Sequence, residues 1–513
     1  MNLLKSLLKK NKNTISENLQ VSFIDKPLLH FVDENLKKHP WTLRHAIMGT
    51  QIFGATGSGK SSGSGKTIAQ AFLKNGFGGI VLCAKPNERK EWEEYAKKTN
   101  RQKDLVIFSN KNNLRFDPLI YESTRITSGG GQTLNIVDLI MRIYEIGQTF
   151  MSSSGTIETE RYWENALRRT VSRSIELLKI VGEDVTIENL RKIIIDSGNE
   201  QQIKDFKEYI EAIQSVNKDD TDYNLLVKAI KELAQANYCL KLIKRGKVLE
   251  SSGEINTEKF YFLCSYYLTE FHSLSEKTKS TISEYYLGLI EPFLSGILKE
   301  HFVGSCDASL RPESTYLHGK IIILDFSIKE FLLSGAYIQG VYKYIWQQAM
   351  ERRDIKSNNR PVFLWADESQ YFINPQYDSL FQTTARSSFV CSVYLTQNIN
   401  NYYFSMGSSN AIARTKSLVG NLATKIFHAN SDFDTNEFAA NVISKKEKIK
   451  TTLNFGERNL TKSNVSNYDF QIPPNEFIAL KTGGAKKLVT AIITQTGRLF
   501  EKENFIRAKF IQD

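Results

Sequence analysis

Short, almost continuous apolar runs recur along the chain, separated by longer stretches with helical spacing. Gly79 to Ala84 (GIVLCA), Leu105 to Ser109 (LVIFS), Lys320 to Phe326 (KIIILDF), Val362 to Ala366 (VFLWA), Phe389 to Leu395 (FVCSVYL) and Lys425 to His428 (KIFH) predict strands. Apolar residues at consecutive rather than alternate positions suit a parallel sheet covered on both faces. Between about 131 and 315 no such run occurs, and segments such as ETERYWENALRRTVSRSIELLKIV and KTKSTISEYYLGLIEPFLSGILKEHF predict helices. The pattern predicts an α/β protein whose sheet is interrupted by an all-α insertion and resumed at Lys320. Glycines 129 to 131 mark one boundary and Pro312 lies near the other. On this division, 1–40 is an N-terminal basic segment, 41–130 and 316–513 are the two parts of the sheet domain, and 131–315 is the insertion. The last hundred residues return to mixed α/β, with a polar loop at about 445–468.

A strand, loop and helix open the sheet domain. The apolar stretch Thr50 to Phe53 leads into GATGSGKSSGSGKT at 54–67, which holds two candidate phosphate lysines. The phosphate-loop pattern is Gly, four free positions, Gly, Lys, then Ser or Thr. Gly54, Ala55, Thr56, Gly57, Ser58, Gly59, Lys60 and Ser61 satisfy it throughout, whereas for Lys66 the opening glycine would be Lys60. Lys60 is the phosphate lysine. A helix over Gly59 to Leu73 would then turn its N-terminus and backbone N–H groups, through Ser62, toward the phosphates. Ser61 would ligate magnesium. The small residues at 61–65 are poor helix formers, so the sheet or a neighbouring subunit is expected to pack closely there.

The second half of such a site is PVFLWADESQYF at 361–372, an apolar strand ending in Asp367-Glu368. An acid at that strand end holds the magnesium shell in phosphate-loop enzymes, and a following Glu polarises the attacking water. Asp367 and Glu368 take those roles. The next strand ends in Thr396-Gln397-Asn398, which places Gln397 on the same edge, as a sensor of the γ-phosphate or the water. Arg386 precedes that strand and lies at the far edge, roughly 23 Å away at about 3.3 Å per residue. It suits an arginine finger supplied to a neighbouring subunit.

Composition narrows the class. The chain has 513 residues, too many for one ordinary core, with 41% apolar and 24% charged residues. Five cysteines form no CxxC pair, which fits a reducing, cytoplasmic setting. No stretch reaches the roughly 18 apolar residues of a membrane span. Leu3, Leu4, Leu7 and Leu8 share one helical face with lysines around it, a pattern suited to an anionic membrane surface, to docking on a partner, or to a plain frayed helix. Net charge +11 favours a polyanionic partner. The basic runs KKEKIK at 445–450 and KTKS at 277–280 are read as solvated faces. The histidines make no metal-binding spacing, and no GxSxG elbow is present.

Together, GATGSGKSSGSG, GGIVLCAKPNE, RFDPL at 115–119, LSEKTKSTI, FLWADESQYF and SVYLTQN resemble the HerA–FtsK group of ring ATPases. Within it they look most like conjugative coupling proteins of the TraG/TraD kind, over about residues 45–490. The resemblance implies a RecA-like P-loop NTPase sheet and a homo-hexamer that pumps DNA with ATP and Mg2+. It also implies an all-α domain at the cytoplasmic mouth and links to relaxosome and secretion-channel subunits. Lys60, Asp367, Glu368, Arg386 and Gln397 fall where that family places its phosphate lysine, magnesium acid, catalytic Glu, finger and sensor. Two features depart from the pattern. The membrane-spanning helices usual at the start are missing, which implies a cytoplasmic protein held at the inner face of the membrane by a partner, if at all. The acid usual after the second strand is Ala84, with Lys85 kept. A scaffold ATPase acting with a partner nuclease in phage defence or DNA processing, and a protein-secretion ATPase, use the same site and stay open at this point.

Overall fold

A computed structural model describes residues 22–151, 157–407, 410–455, 460–484 and 487–512. The amphipathic segment at Leu3 to Leu8 lies outside the described residues. In chain order the strands are β1 Pro27–Asp33, β2 Lys38–Thr42, β3 Thr50–Phe53, β4 Gly78–Leu82, β5 Leu105–Ser109, β6 Ile321–Asp325 and β7 Val362–Ala366. They continue as β8 Val390–Thr396, β9 Thr424–Phe427, β10 Lys445–Phe455, β11 Leu460–Phe470, β12 Thr482–Gly483, β13 Leu488–Gln495 and β14 Phe505–Ile511. All seven apolar runs expected to be strands are strands, to within one or two residues at their ends.

Two compact units form. The first takes Met1–Leu105, Thr315–Ile321 and Arg353–Asp513, and its sheet runs β2-β1-β14-β13-β9-β3-β8-β7-β4. Pairing is parallel from β4 through β7, β8 and β3 to β9, and antiparallel from β9 outward through β13, β14, β1 and β2. Every residue of β3, β4, β7, β8 and β9 is buried, as near-continuous apolar strands require when helices cover both faces. On one face Phe363 packs on Phe72 of α1 (Lys66–Lys74) and Trp92 of α2 (Glu88–Lys98), with ring centroids 5.8 and 5.3 Å apart. Phe53 points to the other face, against Tyr402 and Phe438. Helix α3 (Asp378–Ala385) precedes β8, α4 (Ile399–Ser405) follows it, and α5 (Phe433–Ile443) follows β9.

The polar stretch at 445–468 is not a loop. β10 and β11 pair in unbroken antiparallel register from Lys445 opposite Phe470 to Phe455 opposite Leu460. Ile449 and Tyr468 stay about two-thirds exposed. A two-stranded ribbon needs no buried face along its length, so it leaves no apolar run in the sequence to announce it.

The second unit takes Val106–Ser314 and Ile322–Arg352. Apart from the adjacent strands β5 and β6, it is built of helices, among them Thr133–Met151, Ile157–Ile180, Glu276–Ile290 and Ile328–Arg352. The segment at 277–302 is broken after Ile290, where Pro292 sits in a 3-10 turn over Glu291–Leu294 before a helix resumes at Gly296. Two buried tyrosines are matched to hydroxyls, Tyr266 OH 2.8 Å from Thr170 Oγ1 and Tyr267 OH 2.8 Å from Ser174 Oγ.

Candidate functional site

The parallel strands of the first unit end together. Leu82 stands opposite Ala366, Ala366 opposite Tyr394, Thr396 opposite Phe53, and Phe53 opposite Phe427. The segments leaving this edge therefore carry Lys85, Asp367, Glu368, Gln397, the 54–61 loop and His428 to one rim, where ligands of open parallel sheets bind.

The 54–61 loop is pinned by its backbone. Gly54 N–H donates to Thr396 O at 3.3 Å, Ala55 N–H to Ala429 O at 3.0 Å and Ser58 N–H to Ala55 O at 3.1 Å. Thr56 and Gly57 form an exposed tip. Gly59 has φ of 85°, and a Cβ there would stand 2.6 Å from Val489 Cγ2. At Gly54 a Cβ would come within 2.4 Å of Ser58 Oγ. Glycine is required at both. Ser58 is buried and its hydroxyl has no partner among the described residues, so a polar acceptor or donor is wanting inside the cradle.

Beyond the loop, Lys60–Gly65 form one π-helical turn and the α-helix starts only at Lys66, ending at Lys74. The continuous α-helix expected over Gly59 to Leu73 is corrected accordingly. Ser61, Ser62, Gly63, Ser64 and Gly65 hold the α-form weakly, and widened turns of this sort recur at functional sites. What packs closely is the sheet. A Cβ on Gly63 would stand 3.4 Å from Phe510 Cβ, and one on Gly65 3.2 Å from Leu395 Cδ2. Ser62 is exposed and its hydroxyl accepts from Gln512 Nε2 at 2.8 Å.

Ser61 Oγ donates to Asp367 Oδ2 at 2.6 Å, across 306 residues of sequence. Asp367 Oδ1 in turn accepts the Glu368 N–H at 2.8 Å. Glu368 is 3% exposed and its backbone is left-handed, with φ of 49°, a strained state for a residue with a Cβ. Its Oε1 accepts from Lys85 Nζ at 2.7 Å and lies 3.7 Å from Lys60 Nζ. Gln397 Nε2 reaches it at 3.2 Å and Gln370 Nε2 reaches Oε2 at 3.1 Å. Burial alone would raise the Glu368 carboxyl, but the Lys85 hydrogen bond, the Lys60 charge and the Gln370 amide outweigh it and hold it down at about 2. Burial lowers Lys85 and its carboxylate neighbours, Glu368 first, more than reverse this, leaving the ammonium raised.

Three further groups at the rim escape a reading of motifs alone. His428 is buried at the end of β9 with Nε2 2.7 Å from Ser64 Oγ, and burial together with the Lys60 charge holds it down at about 3, hence neutral. Glu88 opens α2, accepts the Ala84 N–H at 2.9 Å, and is pushed well up by burial and by Asp367. Glu91, one turn on, is raised by the same two causes. The signal for all three was position: each follows the C-terminal end of a parallel strand.

Lys60, Ser61, Asp367, Glu368 and Gln397 are thus brought together, with Ser62 on the adjoining turn. Arg386 is not. It is exposed, just past α3 and before β8 begins at Val390, so it sits at the opposite end of that strand from Gln397. No group of three or more His, Cys, Asp or Glu side chains suited to a metal occurs among the described residues. Ser61 and Asp367 offer a pair of hard oxygens, which fits magnesium when phosphate oxygens and water complete its shell.

No family model matches the sequence, and no curated protein is similar to it in sequence. Solved structures are similar in fold. An unbound form of the bacterial conjugative coupling protein TrwBdeltaN70 superposes with a TM-score of 0.56 at 12% identity, covering 92% of this chain and 87% of that one. The plasmid coupling protein TrwB in complex with the non-hydrolysable ATP analogue ADPNP gives 0.55 at 12%, over 98% and 92% of the two chains. TrwB in complex with ADP and Mg2+ gives 0.54 at 13%, over 92% and 87%. The fold is that of these coupling proteins, a mixed α/β architecture around a large, mainly parallel sheet of RecA-like type, as expected.

Proposed function

We propose that this chain is an ATP-hydrolysing motor that works as a homo-hexameric ring and translocates DNA, in conjugation or a related type IV transfer system. The observation that carries the reading is the 2.6 Å bond between Ser61 and Asp367, with Glu368 and Lys60 beside it. Two segments far apart in sequence meet as a phosphate loop and an acidic strand end, and the glycine cradle with its unpartnered Ser58 hydroxyl has the form of a phosphate seat.

In this reading Gly54 to Ser62 wrap the phosphates through backbone N–H groups, and Lys60 leaves Glu368 to pair with them. Ser61 and Asp367 hold magnesium. Bound magnesium–ATP supplies the anhydride bond whose hydrolysis drives movement. Glu368 orients and deprotonates the attacking water, and Gln397, hydrogen-bonded to Glu368 at 3.2 Å, senses the γ-phosphate or that water. Arg386, at the other end of β8, acts on the nucleotide of a neighbouring subunit. The nucleotide complexes of TrwB support ATP and Mg2+, its description as a coupling protein supports DNA transfer, and a net charge of +11 suits a polyanion. Relaxosome and secretion-channel subunits are the partners this role calls for. No helix among the described residues is long and apolar enough to cross a membrane.

The test is ATPase rate with and without single- and double-stranded DNA over a salt series. Stimulation that weakens steeply with salt is expected, because phosphate contacts release counterions. Hydrolysis unmoved by either DNA would turn the reading toward a protein-secretion motor or a nuclease scaffold.

A further inference from the structure

Both oxygens of Glu368 are held by donors. Oε1 accepts from Lys85 Nζ at 2.7 Å and Gln397 Nε2 at 3.2 Å, while Oε2 accepts from Gln370 Nε2 at 3.1 Å and from Gln397 at 3.4 Å. A carboxylate has about four lone-pair sites. Three donors hold the two oxygens, one of them, Gln397, forked across the pair, so a water has to compete with them for the carboxylate. A donor has to leave before Glu368 can work as a base.

The donors are not equivalent. The Gln397 main chain is fixed, its carbonyl accepting from Asn430 Nδ2 at 2.8 Å. Gln370 is fixed through its side-chain oxygen, which accepts from Thr396 Oγ1 at 2.9 Å. Lys85 makes the shortest of the bonds, yet its side chain is 39% exposed and it sits on a turn with exposed Pro86 and Asn87. A flexible four-carbon stem can swing its ammonium away without disturbing the backbone.

We infer that Lys85 is a positioning residue that latches Glu368 with its oxygens occupied, and that withdrawal of Lys85 frees the carboxylate to accept a proton from water. The proton passes from the water to Glu368, and Lys85 keeps its own. The inference rests on Glu368 being the water-activating residue of the proposed ATPase, and it adds a device that keeps basal turnover low.

Two measurements on the full chain test it. In steady-state ATPase assays Lys85→Met raises basal kcat on the order of ten-fold, with KM little changed and the ratio of DNA-stimulated to basal rate reduced. Lys85→Arg, which keeps a cationic donor, brings the rate back toward that of wild type. Basal kcat that is unchanged or lower in Lys85→Met, with wild type active, overturns the latch. Acetic anhydride labelling read by mass spectrometry needs no turnover. Labelling of Lys85 rises several-fold in Glu368→Gln, and equal labelling in the two proteins overturns the latch. A wild type that never hydrolyses ATP would instead count against the proposed function, with the latch still decided by the labelling.

Discussion

The Ser61 hydroxyl donates to the Asp367 carboxylate at 2.6 Å, joining the turn that begins at Lys60 to the end of β7. Both side chains reach this bond from backbone that is itself fixed, Ser61 on a π-helical turn packed against β8 and β14, Asp367 at the end of a fully buried strand. Such a pair is preorganised for a divalent cation, because little has to move when the hydroxyl proton turns away.

Removing the charge at Lys60 tests that arrangement. Lys60→Ala is expected to weaken ATP binding roughly a hundred-fold, on the order of 3 kcal/mol, as read by titration of a fluorescent ATP analogue. Asp367→Asn should leave binding without magnesium little altered and abolish the gain that magnesium brings. Unchanged magnesium dependence would remove Asp367 from the metal.

Glu368→Gln keeps the size of the side chain and removes the proposed base. ATP binding is expected to persist while turnover falls roughly 10²- to 10⁴-fold. A single-turnover assay separates the two quantities, and preserved hydrolysis would mean that another group activates the water.

Arg386→Ala should lower turnover about 10³-fold with binding intact, since a finger acts on charge that develops during the reaction. Mixing it with Glu368→Gln subunits should recover part of the activity, because an intact finger then meets an intact site. If no mixing ratio recovers any, the finger does not act across subunits.

His428 gives the protein an acid-side weakness. The folded ring takes a proton only near pH 3, whereas the unfolded chain takes one near the ordinary 6.5. Between those values the unfolded state binds more protons, so stability falls with falling pH by up to about 1.4 kcal/mol per pH unit. Denaturant midpoints measured from pH 7 to pH 4 should fall less steeply in His428→Gln than in wild type. Parallel curves would show that the ring titrates normally in the fold.

The parallel core was legible because β3, β4, β7, β8 and β9 are buried on both faces, and burial of that kind forces a continuous apolar run. Lys60, Ser61, Asp367 and Glu368 were legible because their spacing from strand ends fixes their place. The antiparallel edge was not. β1 (PLLHFVD) and β2 (KHPWT) mix proline, histidine and charge with apolar residues, as sheet edges tolerate. The β10–β11 ribbon was hidden because KKEKIKTTLNF and LTKSNVSNYDF carry no continuous apolar run. Lys85, Glu88 and His428 follow strand ends, which places them at the rim, but their partners at 368, 367 and 64 lie far off in sequence and no local pattern names them.

Strand β3, which leads into the phosphate loop, pairs Thr50 with Val393 on one side and Thr424 on the other, and the loop it feeds rests on Val489. On the ribosome this strand therefore emerges long before anything it can pair with, and it must wait with both edges open. Nascent chains of this protein should be clients of holding chaperones during most of their synthesis, and should gain ATP affinity abruptly once residues near 489 have cleared the exit tunnel.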